Sequence, residues 1–101
     1  SNLLLAVTGP ESEVSVVAPD TGKTRWKKTV LRGHGLSGPV ILDDAVMVGS
    51  LDGTLYFFDL FDGTLLSKYK LGSTRISSLH KVGDAVLVYS ASSGSLSLIQ
   101  P

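Results

Sequence analysis

A repeat of about forty residues constrains this chain more than any other feature, because a unit of that length rarely buries its apolar surface alone and folds by stacking on its own copies. Asp44-Ala45-Val46-Met47-Val48-Gly49-Ser50 returns as Asp84-Ala85-Val86-Leu87-Val88-Tyr89-Ser90, offset by 40, with five of the seven residues identical. Just beyond, Gly53-Thr54-Leu55 returns as Gly94-Ser95-Leu96, offset by 41. The offset of 41 also carries Asp20-Thr21-Gly22-Lys23 onto Phe61-Asp62-Gly63-Thr64, and lays Leu5, Val7, Val14 and Val16 over Val46, Val48, Leu55 and Phe57. Leu36-Ser37 repeats as Ile76-Ser77, so the period runs the length of the chain.

Within each period, short apolar runs are cut by turn residues. Val46-Met47-Val48 ends at Gly49-Ser50-Leu51-Asp52-Gly53, and Leu55-Tyr56-Phe57-Phe58 ends at Asp59-Leu60-Phe61-Asp62-Gly63. Asp-Gly pairs tolerate the positive φ of tight hairpins. The runs are strand-length and rich in Val, Ile, Leu, Phe and Tyr, with no helical stripe. Four strands per repeat are predicted. The complete unit has Leu36–Leu42, Ala45–Gly49, Thr54–Leu60 and Leu65–Lys70; Leu3–Thr8, Glu13–Ala18 and Thr24–Thr29 precede it; Arg75–Val82, Ala85–Ser90 and Ser95–Gln100 follow. Leu55 and Phe57 occupy one face of a central strand, Tyr56 and Phe58 the other. A strand apolar on both faces needs a neighbour on each side. The fold class predicted is all-β, a partial β-propeller of about two and a half four-stranded antiparallel blades, ten strands, without substantial helix. Its expected organisation is a partial blade over 3–29, a complete blade over 36–70 and a partial blade over 75–100.

Composition narrows the function classes. Lys plus Arg and Asp plus Glu number nine each, so the basic excess usual for nucleic-acid binders is missing and no nucleic-acid partner is expected. The one basic cluster, Lys23, Arg25, Lys27, Lys28 and Arg32, reads as a solvated edge strand. The chain has no cysteine, which removes disulfides, thiolate nucleophiles and Cys-based zinc sites. Apolar runs of about five residues fall far short of the roughly 20 of a membrane helix, so no membrane insertion is expected.

Gly33-His34-Gly35-Leu36-Ser37-Gly38 spells the G-x-G-x-x-G string of dinucleotide sites. That fingerprint works only where it opens a helix whose N–H groups meet phosphate. Here Pro39-Val40-Ile41-Leu42, a strand, follows, and the glycines read as a crossover between blades. His34 falls in that crossover as a loop residue, and His80 is expected half-buried on an inner strand; neither has the carboxylate or further ligands that a triad or metal site needs. Adjacent Asp43 and Asp44 point opposite ways in extended chain and mark a turn, as do Asp52 and Asp62. Ser37 lacks the G-x-S-x-G of a nucleophile elbow. No catalytic, cofactor-binding or metal-binding residue is assigned, no cofactor is expected, and the chain is read as a non-enzyme.

Val48-Gly49-Ser50-Leu51-Asp52-Gly53-Thr54-Leu55-Tyr56-Phe57-Phe58-Asp59-Leu60-Phe61-Asp62-Gly63 resembles the repeat of pyrroloquinoline-quinone-type (PQQ-like) β-propellers, and Asp20-Thr21-Gly22-Lys23-Thr24-Arg25-Trp26 resembles that repeat's T-G-K-x-x-W signature. The resemblance implies that Leu36–Leu42 lines the propeller axis, that Leu65–Lys70 is outermost, and that Trp26 docks the outer strand of its blade on the next. Ser67 takes the place of Trp26 one repeat on, which should weaken that contact, and Ala18 takes the place of Asp59. Propellers close with about four to eight blades, so this chain is expected to be a fragment of a larger propeller. The function implied is a non-catalytic scaffold for protein interaction or assembly, periplasmic or extracellular. Its partners would be another protein or the remaining blades, and the candidate contact loops are Gly9–Ser12, Leu51–Gly53 and Ala91–Ser93. Part of a quinoprotein dehydrogenase, or a module closing a propeller by homo-oligomerisation, are the alternatives.

Overall fold

The computed structural model describes residues 4–9, 12–29 and 35–100. Ten strands follow in chain order: β1 (Leu5–Thr8), β2 (Val14–Ala18), β3 (Lys23–Lys28), β4 (Leu36–Leu42), β5 (Ala45–Ser50), β6 (Thr54–Asp59), β7 (Leu65–Lys70), β8 (Ser78–Val82), β9 (Ala85–Ser90) and β10 (Ser95–Ile99). They form three sheets in the orders β1-β2-β3, β4-β5-β6-β7 and β8-β9-β10. Every pairing is antiparallel, and no helix occurs among the described residues. This is the all-β, partial-propeller fold expected from the repeat.

The repeat extends to the hydrogen-bond register of the central strands. Val7 faces Ser15, Val48 faces Tyr56 and Val88 faces Ser97, each the equivalent pair of its sheet. The irregularity after Val16↔Trp26 in β2–β3 recurs after Phe57↔Ser67 in β6–β7. A bulge adds a residue and local twist, so its recurrence makes Trp26 and Ser67 true structural equivalents. By the same register β1, β5 and β9 correspond, as do β2, β6 and β10. Gly53 and Gly63 take φ of +87° and +78°, the left-handed region in which the hairpin dipeptides need glycine.

The sheets pack face to face across two seams. In the first, Val14, Val16 and Trp26 of the first sheet meet Val46, Val48, Tyr56, Phe58 and Leu60 of the middle sheet. In the second, Val40, Leu42, Met47 and Leu55 of the middle sheet meet Ile76, Leu79, Val86 and Val88 of the third. The middle sheet is thus buried on both faces, with Tyr56 and Phe58 toward one neighbour and Leu55 and Phe57 toward the other. Met47, Leu55 and Phe58 are 1%, 0% and 1% exposed. Burying each is worth roughly 1.5–3 kcal/mol, comparable in sum with the stability of a whole domain. The middle sheet therefore draws much of its stability from its two neighbours.

One expectation is corrected. Arg75–Ser77 is not strand; β8 starts at Ser78. The backbone N–H of Ile76 turns to Ser50 O at 3.1 Å and that of Ser77 to Tyr89 O at 2.8 Å, so the segment spans two sheets instead of extending one. Other strand ends differ from expectation by one or two residues.

Candidate functional site

The β5–β6 and β9–β10 hairpins and the connection from β7 to β8 gather at one end of the stack, and hydrogen bonds tie them together. Leu71 N–H donates to Gly53 O at 2.9 Å. Ser90 Oγ donates to Arg75 O at 2.7 Å and Ala91 N–H to Ser77 Oγ at 3.0 Å. Residues 71–77 therefore clasp both hairpins. The fit is close at Gly53, where an added Cβ would lie 2.6 Å from Gly72 O and 2.8 Å from Thr74 O.

The β5–β6 hairpin is braced from within. Ser50 is fully buried and its hydroxyl bonds the Asp52 carboxylate; Thr54 N–H donates to both Ser50 Oγ and Asp52 Oδ1 at 3.2 Å. The Ser50 hydroxyl above all holds the Asp52 carboxyl below its ordinary value; desolvation opposes it, and the hydroxyl and amide of Thr54 and the Lys70 charge add to the lowering. Burial, and then the Asp52 charge, push the Tyr56 phenol up. The β9–β10 hairpin carries hydroxyls instead: Thr74 Oγ1 and Ser90 Oγ lie 2.8 Å apart, as do Ser93 Oγ and Ser95 Oγ. Ser50 and Ser90 both cap a turn or the connection beside it. The identical serine at an offset of 40 was the sequence signal for them.

At the opposite, outer corner of the first seam, Trp26 clamps two sheets. Its Nε1 donates to Leu60 O at 2.7 Å, and its ring stands 6.0 Å from that of Phe58. Gly63 lets it in: a Cβ there would lie 2.7 Å from Trp26 Cδ2. Arg25 adds a bond from Nε to Phe61 O at 3.0 Å and places its guanidinium 5.8 Å from the Phe61 ring centroid. Trp26 therefore does what the resemblance implied. Its equivalent Ser67 lies on β7, whose residues are all exposed.

Of the candidate loops, Leu51–Gly53 and Ala91–Ser93 lie at the clasped end; Pro10 and Glu11 of the Gly9–Ser12 loop lie outside the described residues, and Ser12, the equivalent of Gly53, is buried. His80 is exposed on β8, which corrects the half-buried expectation: the strand presents it on the far face of the third sheet, where no neighbour covers it. His34 lies outside the described residues. Asp43 and Asp44 form the β4–β5 turn, and among the described residues no three His, Asp or Glu side chains group as metal ligands. The basic cluster does form an edge strand, β3, with Lys27 paired to Glu13 at 2.7 Å; Arg32 lies outside the described residues. No helix among the described residues is long and apolar enough to cross a membrane.

Sequence reading missed two pockets. One, of about 260 Å³, is floored by Leu42, Met47 and Phe57 and flanked by Asp59 and Leu66. The other, of about 150 Å³, opens at the clasped end between the middle and third sheets. The signal for the second was present: Tyr56 is matched at an offset of 41 by Ser97.

Like-shaped antiparallel sheets, packed face to face and clamped at their outer edge by an indole, define a run of β-propeller blades. The family model PQQ_2, described as outer membrane protein assembly factor BamB, matches residues 2–100; the chain belongs to this family of PQQ-like repeat proteins. It is 32% identical over 89 residues to the outer membrane protein assembly factor BamB of Bordetella pertussis, covering 88% of this chain and 23% of that protein. The chain thus spans about a quarter of the length of the curated relatives it matches. Its fold matches the crystal structure of BamB from Moraxella catarrhalis with a TM-score of 0.90 at 20% identity, over 97% of this chain and 29% of that one. It also matches the dihydro-heme d1 dehydrogenase NirN, with a TM-score of 0.73 at 22% identity, over 98% of this chain and 22% of that one. The same blades thus occur in an assembly factor and in an enzyme, and fold alone does not choose between them.

Proposed function

We propose that this chain is a non-catalytic segment of a larger extracytoplasmic β-propeller that holds a protein partner during assembly of other proteins. The observation that carries this reading is the clasped end. Two equivalent hairpins are locked to one connection by backbone and hydroxyl hydrogen bonds, so Leu51, 49% exposed, and the exposed Ala91–Ser93 turn stand on a rigid base. Binding loops on a rigid scaffold are the usual way a propeller presents contacts. The relatives named as outer membrane protein assembly factors support both the scaffold role and a location outside the cytoplasm. The test is a photo-cross-linker placed in turn at Leu51 and Ser92 of the intact parent protein. Adducts to another polypeptide from these sites, and none from the exposed Lys68 on β7, are expected. Equal labelling from all three would remove the assignment of this end.

The remaining blades are the second partner proposed. Leu5 and Val7 are 49% and 45% exposed, whereas their equivalents Val46 and Val48 are fully buried. At the other end of the stack Leu96 and Leu98 are each 61% exposed, whereas Leu55, the equivalent of Leu96, is fully buried. The larger pocket supports the same reading. Its floor of Leu42, Met47 and Phe57 is apolar surface that a following blade would cover.

A further inference from the structure

The two seams are built from equivalent positions yet are filled differently at the clasped end, and the difference points to a binding site. In the first seam Tyr56 occupies the space beside the hairpin and is 9% exposed. Register makes Ser97 its counterpart in the third sheet, since Val48 faces Tyr56 as Val88 faces Ser97. A serine cannot fill a space shaped for a phenol, and the second seam holds a pocket of about 150 Å³ there. Gly53 and Gly72 bound it on one side, Ser90, Ser95 and Ser97 on the other, with Thr74 between. Ile76, 2% exposed, closes its base.

The geometry points to this pocket as a receptor for a tyrosine side chain supplied by a partner polypeptide. Three features select that occupant. The neighbouring seam shows that blades of this register accommodate a phenol at this depth without parting. The lining combines the apolar Leu71 and Ile76 with hydroxyls of Thr74, Ser90, Ser95 and Ser97; a ring satisfies the former and a phenolic O–H, donor and acceptor both, the latter. The mouth lies between the hairpins at Gly53 and Ser90–Ser95, where an extended segment could deliver a side chain while its backbone stays outside. A purely apolar ring would desolvate these hydroxyls while adding nothing to the bonds they already make with one another and with Arg75 O, whereas a phenol can also use their remaining acceptor capacity.

This inference rests on the reading of the clasped end as a protein-binding surface, and its test is independent of the cross-linking above. The chain is titrated with 4-methylphenol, the side-chain analogue of tyrosine, and in parallel with toluene, while amide resonances are followed by NMR. Shifts centred on Gly53, Thr74 and Ser97 are expected, with toluene binding about tenfold more weakly for want of the hydroxyl. Ser97→Tyr, which fills the pocket from within, should abolish them while the spectrum stays dispersed. Ser97→Leu serves the same purpose if the tyrosine variant does not fold, and the comparison of the two ligands on the unsubstituted chain decides without either. No shift up to the solubility limit, equal affinity for toluene, or unchanged binding to a folded Ser97→Tyr or Ser97→Leu variant would each overturn the assignment. Cross-links from Leu51 with a silent titration would leave the surface standing and remove the pocket.

Discussion

At the scale of single residues, Trp26 and Gly63 form one device. The indole is buried, bonded to Leu60 O, and seated where a side chain at residue 63 would stand. Trp26→Ala removes a large buried ring and should cost about 3–5 kcal/mol, read as a fall in the denaturation midpoint. Gly63→Ala meets two obstacles: the clash with the indole, and a φ of +78° that costs a side chain about 1–2 kcal/mol. In a Trp26→Ala background only the second remains. The double-mutant cycle should therefore show a coupling of roughly 0.5–3 kcal/mol, and additive effects would mean that the two do not share a site. Asp52 gives a second prediction. Its folded-state pKa is depressed, so the charged carboxylate contributes stability above its ordinary value of 3.8 that is lost as pH falls through the lower folded value. Asp52→Asn keeps an acceptor for Thr54 but no charge. The variant should be less stable than the parent at neutral pH, by under about 1 kcal/mol for so exposed a group. The two melting temperatures should converge in strong acid, whereas a constant gap would assign the effect to shape, not charge.

At the scale of elements, the strands were legible because turn dipeptides and two-faced apolar runs leave few alternatives. Asp52-Gly53 and Asp62-Gly63 mark two of the three hairpins of the middle sheet, and the alternation of Leu55 and Phe57 with Tyr56 and Phe58 assigns each face. What escaped was whatever depends on the space between sheets. Arg75–Ser77 has the composition of a strand, but its amides are claimed by Ser50 and Tyr89 on different sheets, and no local pattern reveals that. The strand of His80 is legible but its exposure is not, since exposure depends on whether a further blade covers the face. The pocket at Ser97 needed both the repeat alignment and the knowledge that Tyr56 fills the homologous space. The seams also differ in strength by this logic. The first has Trp26, Tyr56 and Phe58 where the second has Ser67, Ser97 and Ile99. Local opening follows the weaker packing. Native-state hydrogen exchange should release amides of β9 at lower denaturant than those of β5, although the two strands occupy equivalent positions. Simultaneous release would mean that the stack opens only as a unit.

At the scale of the whole molecule, the stack presents two apolar faces of different kind. Leu5 and Val7 on the first sheet repeat the positions of Val46 and Val48, which receive a preceding blade. Leu96 and Leu98 on the third repeat those of Leu55 and Phe57, which receive a following one. Each face thus carries the residues that match the other, so a contact between two copies would be heterologous, one kind of face against the other. Exposed apolar sheet of this extent favours association, so the isolated chain should gain mass with concentration in sedimentation equilibrium. The kind of contact is then tested by disabling one face at a time. Leu96→Lys with Leu98→Lys leaves the first-sheet face intact; Leu5→Lys with Val7→Lys leaves the third-sheet face intact. Each variant alone lacks one of the two surfaces and should stay monomeric, while an equimolar mixture should form a dimer and stop there. If either variant associates by itself, the contact pairs like with like and the stack does not extend by its repeat. If the mixture stays monomeric although both variants retain their β-sheet signal, the end faces do not recognise one another, and other chain must cover them.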